Sequence, residues 1–128
     1  MKLNPDCIRD ILLCVEDTTD LHTTLDICED NLPEKLSDYS FNEIVYHVKQ
    51  CELSGLFGCE VTWYLSGDCE VPYLSPDGHD YISSIRSHKA WSKTKEIAGN
   101  IGANSIDTIK QIAVGVFTSL IQNQLVLH

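Results

Sequence analysis

The sequence predicts a mainly helical α+β fold in which one small antiparallel β-hairpin lies among several amphipathic helices. Apolar residues recur at spacings of three and four over most of the chain. Helix-starting residues precede several of these stretches, and a single alternating stretch surrounds a Ser-Gly-Asp turn. At 128 residues the chain is long enough for one domain with an extension and too short for two ordinary domains.

The first predicted helix begins at Pro5, because proline suits the first turn of a helix and Asn4 can cap it. It continues to a polar break at residues 17–20. Its buried face is expected to consist of Ile8, Ile11, Leu12 and Val15.

Two short elements are predicted next. Residues 21–27 alternate loosely between polar and apolar side chains, which favours a short strand. A brief helix is predicted around residues 31–36, where Pro33 is tolerated only in the first turn.

A capping box opens the following helix, with Ser40 as the N-cap and Glu43 three residues later. The helix is predicted to run through Leu53 and to end at Gly55. Its buried stripe is expected to be Ile44, Val48 and Cys51. The outward face offers four candidate contacts to a partner or to DNA, namely Asn42, Tyr46, Lys49 and Gln50.

A β-hairpin follows this helix. Residues 60–65 alternate, with Val61, Trp63 and Leu65 expected on one face, and residues 69–74 return after the Ser-Gly-Asp turn. A helix over residues 77–86 comes next, capped by Ser75 and Pro76. This order of helices and hairpin is that of a winged helix-turn-helix, which we predict as an acidic domain over residues 1–86.

Residues 87–128 are predicted to form a slightly basic C-terminal extension of two appended helices. The first covers residues 87–97, where Trp91 is expected to anchor the helix to the core, and residues 99–104 are expected to break it. A second group of candidate contacts to a partner or to DNA lies here: Arg86, Lys89, Lys93 and Lys95.

The last predicted helix begins at Ser105 and carries a wide apolar stripe. Packing on its own domain, homodimerisation and reversible membrane contact are the three alternatives for this stripe. Polar residues at 118–119 and 122–124 interrupt the apolar stretch, so it is too short to span a membrane. The candidate residues for an oligomer or partner contact are Ile109, Val116, Phe117 and Leu120.

Several segments resemble a bacterial and phage family known as domain of unknown function 2513. They are residues 1–13, the block from Tyr46 to Leu56, and residues 91–96 together with 109–113. The resemblance extends over nearly the whole chain and implies a phage or prophage setting. The middle block also looks like the winged-helix regulators, which usually carry several basic residues on the recognition helix and the wing.

The charge of the chain argues against the usual ligand of that fold. Residues 1–84 contain 17 Asp or Glu and 4 Lys or Arg, a formal charge of −13, whereas the remaining residues carry +3. Because DNA phosphates attract cations and repel carboxylates, an acidic body should be repelled from a duplex. We therefore expect a protein partner with a basic surface and regard nucleic acid as disfavoured.

Two functional hypotheses of different classes remain. In the first, the chain is a non-enzymatic interaction protein of a phage or mobile element, and its acidic surface acts as a nucleic-acid mimic. It would inhibit a host defence or regulatory factor, as anti-CRISPR proteins do. In the second, it is a transcriptional regulator that binds DNA as a dimer. Fold alone does not decide between them.

No catalytic, cofactor or metal site is predicted. The six cysteines contain no Cys-x-x-Cys pair and are expected to be free thiols that pack as small hydrophobic side chains. Ser75 and Asp77 near His79 are explained as helix-start residues, and His47 is expected to be a partly buried structural histidine. The N-terminal residues show no secretory segment, so a cytoplasmic location without membrane contact is expected.

Overall fold

The computed structural model describes residues 1–126 and divides into two compact units, Met1–His79 and a second unit that begins at Asp80. The elements are α1 (Pro5–Thr18), β1 (Leu25–Ile27), a short 3-10 helix (Glu34–Leu36), α2 (Phe41–Leu53), β2 (Thr62–Trp63), β3 (Cys69–Val71), α3 (Pro76–Ile85), α4 (His88–Ile101) and α5 (Ile106–Val126). The predicted mainly helical α+β class is confirmed. The predicted domain boundary follows residue 86, just after α3, whereas the two units divide inside that helix.

Helix α1 begins where the sequence predicts. The side-chain Oδ1 of Asn4 accepts hydrogen bonds from the backbone N–H groups of Asp6 at 3.1 Å and Cys7 at 3.4 Å. These bonds satisfy two donors that the first turn of a helix leaves without a partner. The break predicted at residues 17–20 is also present, because the helix ends at Thr18.

Glu43, which was expected to complete a capping box, connects helix α2 to the start of α1. Ser40 Oγ accepts from the backbone N–H of Glu43 at 3.1 Å, which is one half of that motif. The Glu43 carboxylate instead accepts from Asn4 Nδ2 at 3.4 Å. The side chain that the sequence assigns to a local cap therefore bridges two helices.

The buried stripe of α2 contains the three predicted residues and, in addition, His47. The His47 ring is fully buried rather than partly buried. Its Nε2 accepts from the backbone N–H of Asn4 at 2.8 Å, and its Nδ1 lies 2.7 Å from the carbonyl oxygen of Glu43. Both bonds form only when the neutral ring carries its proton on Nδ1. His47 is thus a structural residue that joins α2 to the cap of α1.

The three strands form one antiparallel sheet in the order β1-β3-β2. β2 pairs with β3, which confirms the predicted hairpin, although both strands are shorter than expected. Leu65 was expected on the same face as Val61 and Trp63, and this prediction is wrong because β2 ends at Trp63. Leu65 lies in the turn and is fully exposed, while Gly67 adopts the positive φ of 92° that the turn requires.

The core of the first unit is formed by helices α1 and α2, the 3-10 helix and the sheet. Its fully buried aliphatic residues include Ile8, Ile11, Leu12, Ile27, Leu36, Ile44, Val48 and Val71. Ser75 closes the same unit, because its Oγ donates to the Gly55 carbonyl at 2.6 Å and accepts from the N–H of Gly78 at 3.0 Å. A Cβ on Gly78 would lie 2.2 Å from the Leu56 carbonyl oxygen, so only glycine fits there.

The second unit contains the helical hairpin of α4 and α5. Helix α4 was expected to break at residue 99, but it continues to Ile101. The break requires a residue in the left-handed region, and Gly102 supplies it with φ of 70°. The N–H of Ala103 then donates to the Ala98 carbonyl at 2.9 Å and ends the helix. None of the helices within residues 1–126 has both the length and the apolar character that a membrane span requires.

The contact between His47 and Asn4 predicts the result of one substitution. Replacing His47 with Phe keeps an aromatic ring, although a larger one, and leaves the Asn4 N–H without its acceptor, so the free energy of unfolding should fall by at least about 2 kcal/mol. Chemical denaturation measures the change. The control is Gln50→Ala on the same helix, which should change stability by less than about 0.5 kcal/mol. Equal effects of the two substitutions would contradict the assigned role of His47.

Candidate partner-binding surface

The outward face of α2 and the neighbouring strand β2 form a shallow depression. Asn42 and Lys49 are exposed on this face, and Tyr46 and Gln50 are half-buried. The depression has a volume of about 460 Å³. It is lined by Asn42, Val45, Tyr46, Lys49 and Trp63. The structure thus brings together three of the four predicted contacts of α2 and adds an aromatic residue from the hairpin.

Lys49 is the one Lys or Arg in the sequence of α2, and its charge is compensated within the unit. Its Nζ lies 2.8 Å from Glu52 Oε1, and the same ammonium group lies 5.6 Å from the centre of the Trp63 ring. Ion pairing and the cation–π contact both hold the side chain against the protein. A phosphate would have to compete with Glu52 for this cation.

Glu52 fixes the hairpin to α2, a role that the sequence did not reveal. Its carboxylate accepts from the backbone N–H of Val61 at 2.7 Å and from Trp63 Nε1 at 3.2 Å. Burial by itself would raise the pKa of Glu52, but the hydrogen bonds from Lys49, Val61 and Trp63 outweigh it and lower the pKa. The charged carboxylate is therefore the form that the surrounding structure favours.

The open face of the sheet collects carboxylates. Asp26 on β1 stands directly opposite Glu70 on β3, and cross-strand like charges destabilise a sheet. Asp68 lies at the start of β3, and its Oδ1 accepts from the N–H of Glu29 at 3.1 Å. Within residues 1–126 no ion pair is described for Asp26, Asp68 or Glu70. Asp26 also accepts a hydrogen bond from Thr24 Oγ1 at 2.9 Å, so among the described residues these carboxylates are met by neutral donors and not by cations.

The same group of carboxylates affects the pKa of Cys28. Its pKa is raised first by burial and then by the carboxylates around it, which are Asp68, Asp26, Asp30 and Glu70. We call these four residues the acidic face. Asp26 stands opposite Glu70 in the sheet and Asp68 directly precedes β3, so these carboxylates create a common negative potential.

Apolar side chains of the first unit are exposed at two positions, in the hairpin and at the end of α2. Leu65 is fully exposed at the tip of the hairpin, and Leu53 is 71% exposed at the end of α2. Tyr64 is half-exposed, and its hydroxyl donates to Glu70 Oε1 at 2.8 Å. The hairpin therefore presents apolar and acidic groups to solvent.

The second predicted group of contacts belongs to the second unit. Arg86, Lys89, Lys93 and Lys95 are all exposed, as expected. Lys93 lies 3.6 Å from Glu96, and the Lys95 ammonium group lies 5.6 Å from the centre of the Trp91 ring. Trp91 is buried, consistent with its predicted anchoring role. The two groups of contacts thus lie on separate units.

The predicted contacts of α5 divide into buried and accessible residues. Ile109 and Val116 are buried within the second unit, and Leu120 is half-buried. Phe117 is 36% exposed. A groove of about 670 Å³ runs between α4 and α5. Its apolar lining is Ile97, Ile112, Val116 and Leu120.

The cysteines follow the prediction in four of six positions. Cys7, Cys14, Cys51 and Cys69 are buried, Cys28 is half-buried and Cys59 is exposed. Burial, followed by nearby carboxylates, raises the pKa of both Cys7 and Cys69 to about 12, so these thiols are unreactive at neutral pH. Within residues 1–126, no three His, Cys, Asp or Glu side chains are arranged to hold a metal ion.

The lowered pKa of Glu52 predicts a pH-dependent contribution to stability. A depressed carboxyl pKa stabilises the fold above the unfolded value and loses this effect as the pH falls through the folded value. At neutral pH, Glu52→Gln should lower the free energy of unfolding by about 2 kcal/mol, and the difference from wild type should shrink near pH 3. Denaturant titrations at both pH values measure it. The control is Glu60→Gln, which removes the same charge from an exposed site and should leave stability nearly unchanged. If Glu52→Gln lowered the free energy of unfolding by the same amount at both pH values, the mechanism would be contradicted.

The carboxylates around Cys28 predict a salt effect on its reactivity. Salt screens the carboxylates and lowers the pKa of Cys28, so alkylation at pH 8 should accelerate between about 0.01 and about 0.5 M NaCl. The measurement uses a Cys59→Ser background, which removes the exposed thiol. Asp68→Asn with Glu70→Gln should accelerate the reaction at low salt, and Glu34→Gln with Asp38→Asn should not. A rate independent of salt would show that the acidic face does not act on Cys28.

Comparison with known proteins identifies the family. No curated protein and no solved structure matches the chain at a significant level. The family described as "Hypothetical protein (DUF2513)" matches residues 2–104. This range covers the first unit apart from Met1, including α2, the hairpin and the acidic face, together with α3 and α4. The chain therefore belongs to the domain of unknown function 2513 family.

Proposed function

We propose that the first unit and α3 form a winged helix that binds a protein partner through its acidic and apolar surface instead of binding a DNA duplex. The element order and the sheet order β1-β3-β2 support this assignment, because a winged helix also places its recognition helix directly before a hairpin. Helix α2 occupies the position of the recognition helix, and the hairpin of β2 and β3 occupies that of the wing.

The proposal rests on the contacts that Lys49 makes with Glu52 and Trp63. A recognition helix that docks on DNA needs cations that are free to replace the counterions of phosphates. The single cation of α2 is engaged by Glu52 and lies against Trp63. Moving it to a phosphate would expose the carboxylate that holds the hairpin in place. The outward face of α2 is therefore suited to polar and aromatic contacts with a protein.

The acidic face indicates which chemical groups a partner would need. Asp26 and Glu70 repel each other across the sheet, and a cation brought by a partner would relieve this repulsion. The exposed Leu65 at the hairpin tip offers an apolar contact at the edge of the same surface. A partner with an Arg- or Lys-rich patch and an apolar pocket matches both features.

The narrower form of the proposal is inhibition by nucleic-acid mimicry. A host defence or regulatory factor that binds DNA or RNA has the basic patch which the acidic face requires. The phage or prophage setting implied by the family resemblance fits such a target. In this role the protein is non-enzymatic, because occupation of the basic patch is sufficient for inhibition.

A dimeric DNA-binding regulator is the second candidate function. The exposed cations of α4 favour it, since Lys89 and Lys93 could contact a phosphate backbone outside the recognition helix. Such contacts would bind duplexes with little regard to sequence and with a steep dependence on salt. The two candidates therefore differ in their affinity for an unrelated duplex.

A duplex titration at two salt concentrations separates the candidates. Fluorescence anisotropy with a random duplex at about 50 and about 200 mM salt should give a Kd no tighter than about 10⁻⁴ to 10⁻⁶ M. Sub-micromolar binding to unrelated duplexes would reject the protein-partner proposal in favour of the regulator. Lys89→Gln with Lys93→Gln would then weaken that binding at both salt concentrations.

Charge reversal on the acidic face tests the positive part of the proposal. Asp26→Lys with Glu70→Lys should abolish capture of the partner from lysate of the native host. The control is Glu34→Lys with Asp38→Lys, which changes the net charge of the first unit equally near the 3-10 helix and should retain the partner. Loss of the partner with both variants would indicate nonspecific attraction by net charge.

A further inference from the structure

The groove of about 670 Å³ between α4 and α5 has chemically different ends. A short loop joins the two helices, which run in opposite directions, so the start of α4 lies beside the later turns of α5. Lys89 and Asn123 therefore line one end, and both also line a neighbouring depression together with Gln124. Ile97 and Ile112 line the other end, next to the loop. We call this feature the α4–α5 groove.

The apolar side chains lie on the floor of the α4–α5 groove, and the polar side chains lie on its rims. Val116 is buried, and Ile97, Ile112 and Leu120 are half-buried. Two packed helices lie roughly 8–10 Å apart, so a third helix with a diameter of about 10–12 Å would rest on the rims. A narrow, unbranched chain can instead reach the apolar floor. The exposed polar residues of the rims are Lys89, Ser92, Lys93, Glu96, Ser119 and Asn123.

Gly115 leaves part of the floor open. It lines the groove on the α5 side, between the positions of Ile112 and Ser119. A Cβ added to Gly115 would meet no atom within 4 Å. The space above this residue is therefore free for a ligand, and a larger side chain at the same position would fill it.

Lys89 supplies the uncompensated charge of the α4–α5 groove. Lys93 and Glu96 lie 3.6 Å apart, so their charges offset each other. Within residues 1–126 Lys89 has no ion-pair partner, and residues 111–126 of the facing helix contain no Asp or Glu. An anion at this end would meet the ammonium group of Lys89 and the side-chain amide of Asn123, which both donate hydrogen bonds.

The dimensions of the α4–α5 groove match a medium-chain acyl group. At a rise of 1.5 Å per residue, α5 advances about 16 Å from Ile112 to Asn123. Extended dodecanoate is of comparable length. The volume of about 670 Å³ also lies within the range of roughly 300–1,000 Å³ that is typical of small-molecule sites.

We propose that the α4–α5 groove binds a linear amphipathic carboxylate of the size of dodecanoate, that is, a free medium-chain fatty acid. The carboxylate accepts hydrogen bonds from Lys89 and Asn123. The alkyl chain lies over Gly115 and Val116 and ends near Ile112. This binding site goes beyond the protein-partner function, and it uses none of the residues of the acidic face.

Isothermal titration calorimetry of the full chain with dodecanoate, below its micelle-forming concentration, tests the site. Dodecanoate should bind at one site per chain with a Kd of about 10–100 μM. Octanoate should bind at least about tenfold more weakly, because it buries fewer methylene groups. Dodecylammonium has the same alkyl chain and the opposite charge. Nonspecific attraction to a chain with a net charge of −10 would favour the ammonium ion, so a preference for the carboxylate identifies a local cation.

A charge variant tests the position of the carboxylate. Lys89→Met keeps most of the side-chain stem and removes the ammonium group, so it should weaken dodecanoate binding about tenfold. The matched control is Lys110→Met, which removes the same charge from a position of α5 outside the groove. This control should change the Kd by less than about twofold, because salt screens a distant charge.

A pair of glycine variants tests the position of the alkyl chain. Gly115→Leu should fill the floor of the groove and weaken dodecanoate binding at least about tenfold. Gly99→Leu is the control, because a Cβ on Gly99 also meets no atom within 4 Å and Gly99 does not line the groove. Both variants replace a helical glycine with a better helix former, so thermal unfolding should show that both are folded and at least as stable as wild type.

Four results would overturn the proposal. The first is no binding of dodecanoate up to about 1 mM. The second is equal binding of dodecanoate and dodecylammonium. The third is dodecanoate binding that neither Lys89→Met nor Gly115→Leu weakens. The fourth is binding to phosphatidylglycerol vesicles without binding to free dodecanoate, which would assign the groove to a membrane surface. None of these results bears on capture by the acidic face, so the two proposals fail separately.

Discussion

The hydrogen bond between the backbone N–H of Asn4 and the buried His47 joins the beginning of the chain to the middle of its central helix. Around it, Asn4 caps α1, and Glu43 contacts the side chain of the same asparagine. α2 is therefore positioned against α1 by polar groups that are satisfied only in one register. The apolar stripe of α2 supplies the burial, but nondirectional burial alone would permit a shift along the helix.

The other end of α2 is held in a comparable way, with a consequence for function. Glu52 connects the last turns of the helix to the hairpin through Val61 and Trp63, and it engages Lys49 at the same time. One carboxylate thus joins α2 to the hairpin and pairs with the one Lys of that helix. Structure and choice of ligand are coupled at this residue, since restoring a free Lys49 would weaken the junction.

Much of the fold could be predicted from local signals. Asn4, Ser40 and Ser75 mark helix starts by a chemistry that acts within three residues, so their positions are visible in the sequence. The end of α4 was harder to predict, because Gly99 and Gly102 could each end the helix. Only the backbone geometry shows that Gly102 does. The hairpin was found from its turn, but Leu65 was misplaced because alternation does not show where pairing stops.

The candidate site was only partly predictable. The outward residues of α2 follow from helical periodicity, whereas the roles of Glu43, His47 and Glu52 depend on partners up to 43 residues away. The division of α5 into a buried and an exposed apolar face also depends on tertiary packing. A wide apolar helix shows in sequence that something covers it, and only the fold shows which side is already covered.

The opposed carboxylates of Asp26 and Glu70 would connect the stability of the fold to the binding of a partner. A pair that repels in the free protein raises its free energy, and any ligand that neutralises the pair binds the folded state more tightly than the unfolded one. The bound chain would then unfold at a higher temperature than the free chain, beyond what contact area alone supplies. The sheet would act as a strained receptor that is completed by its partner, so removal of the repulsion by mutation would produce a more stable protein that binds less tightly.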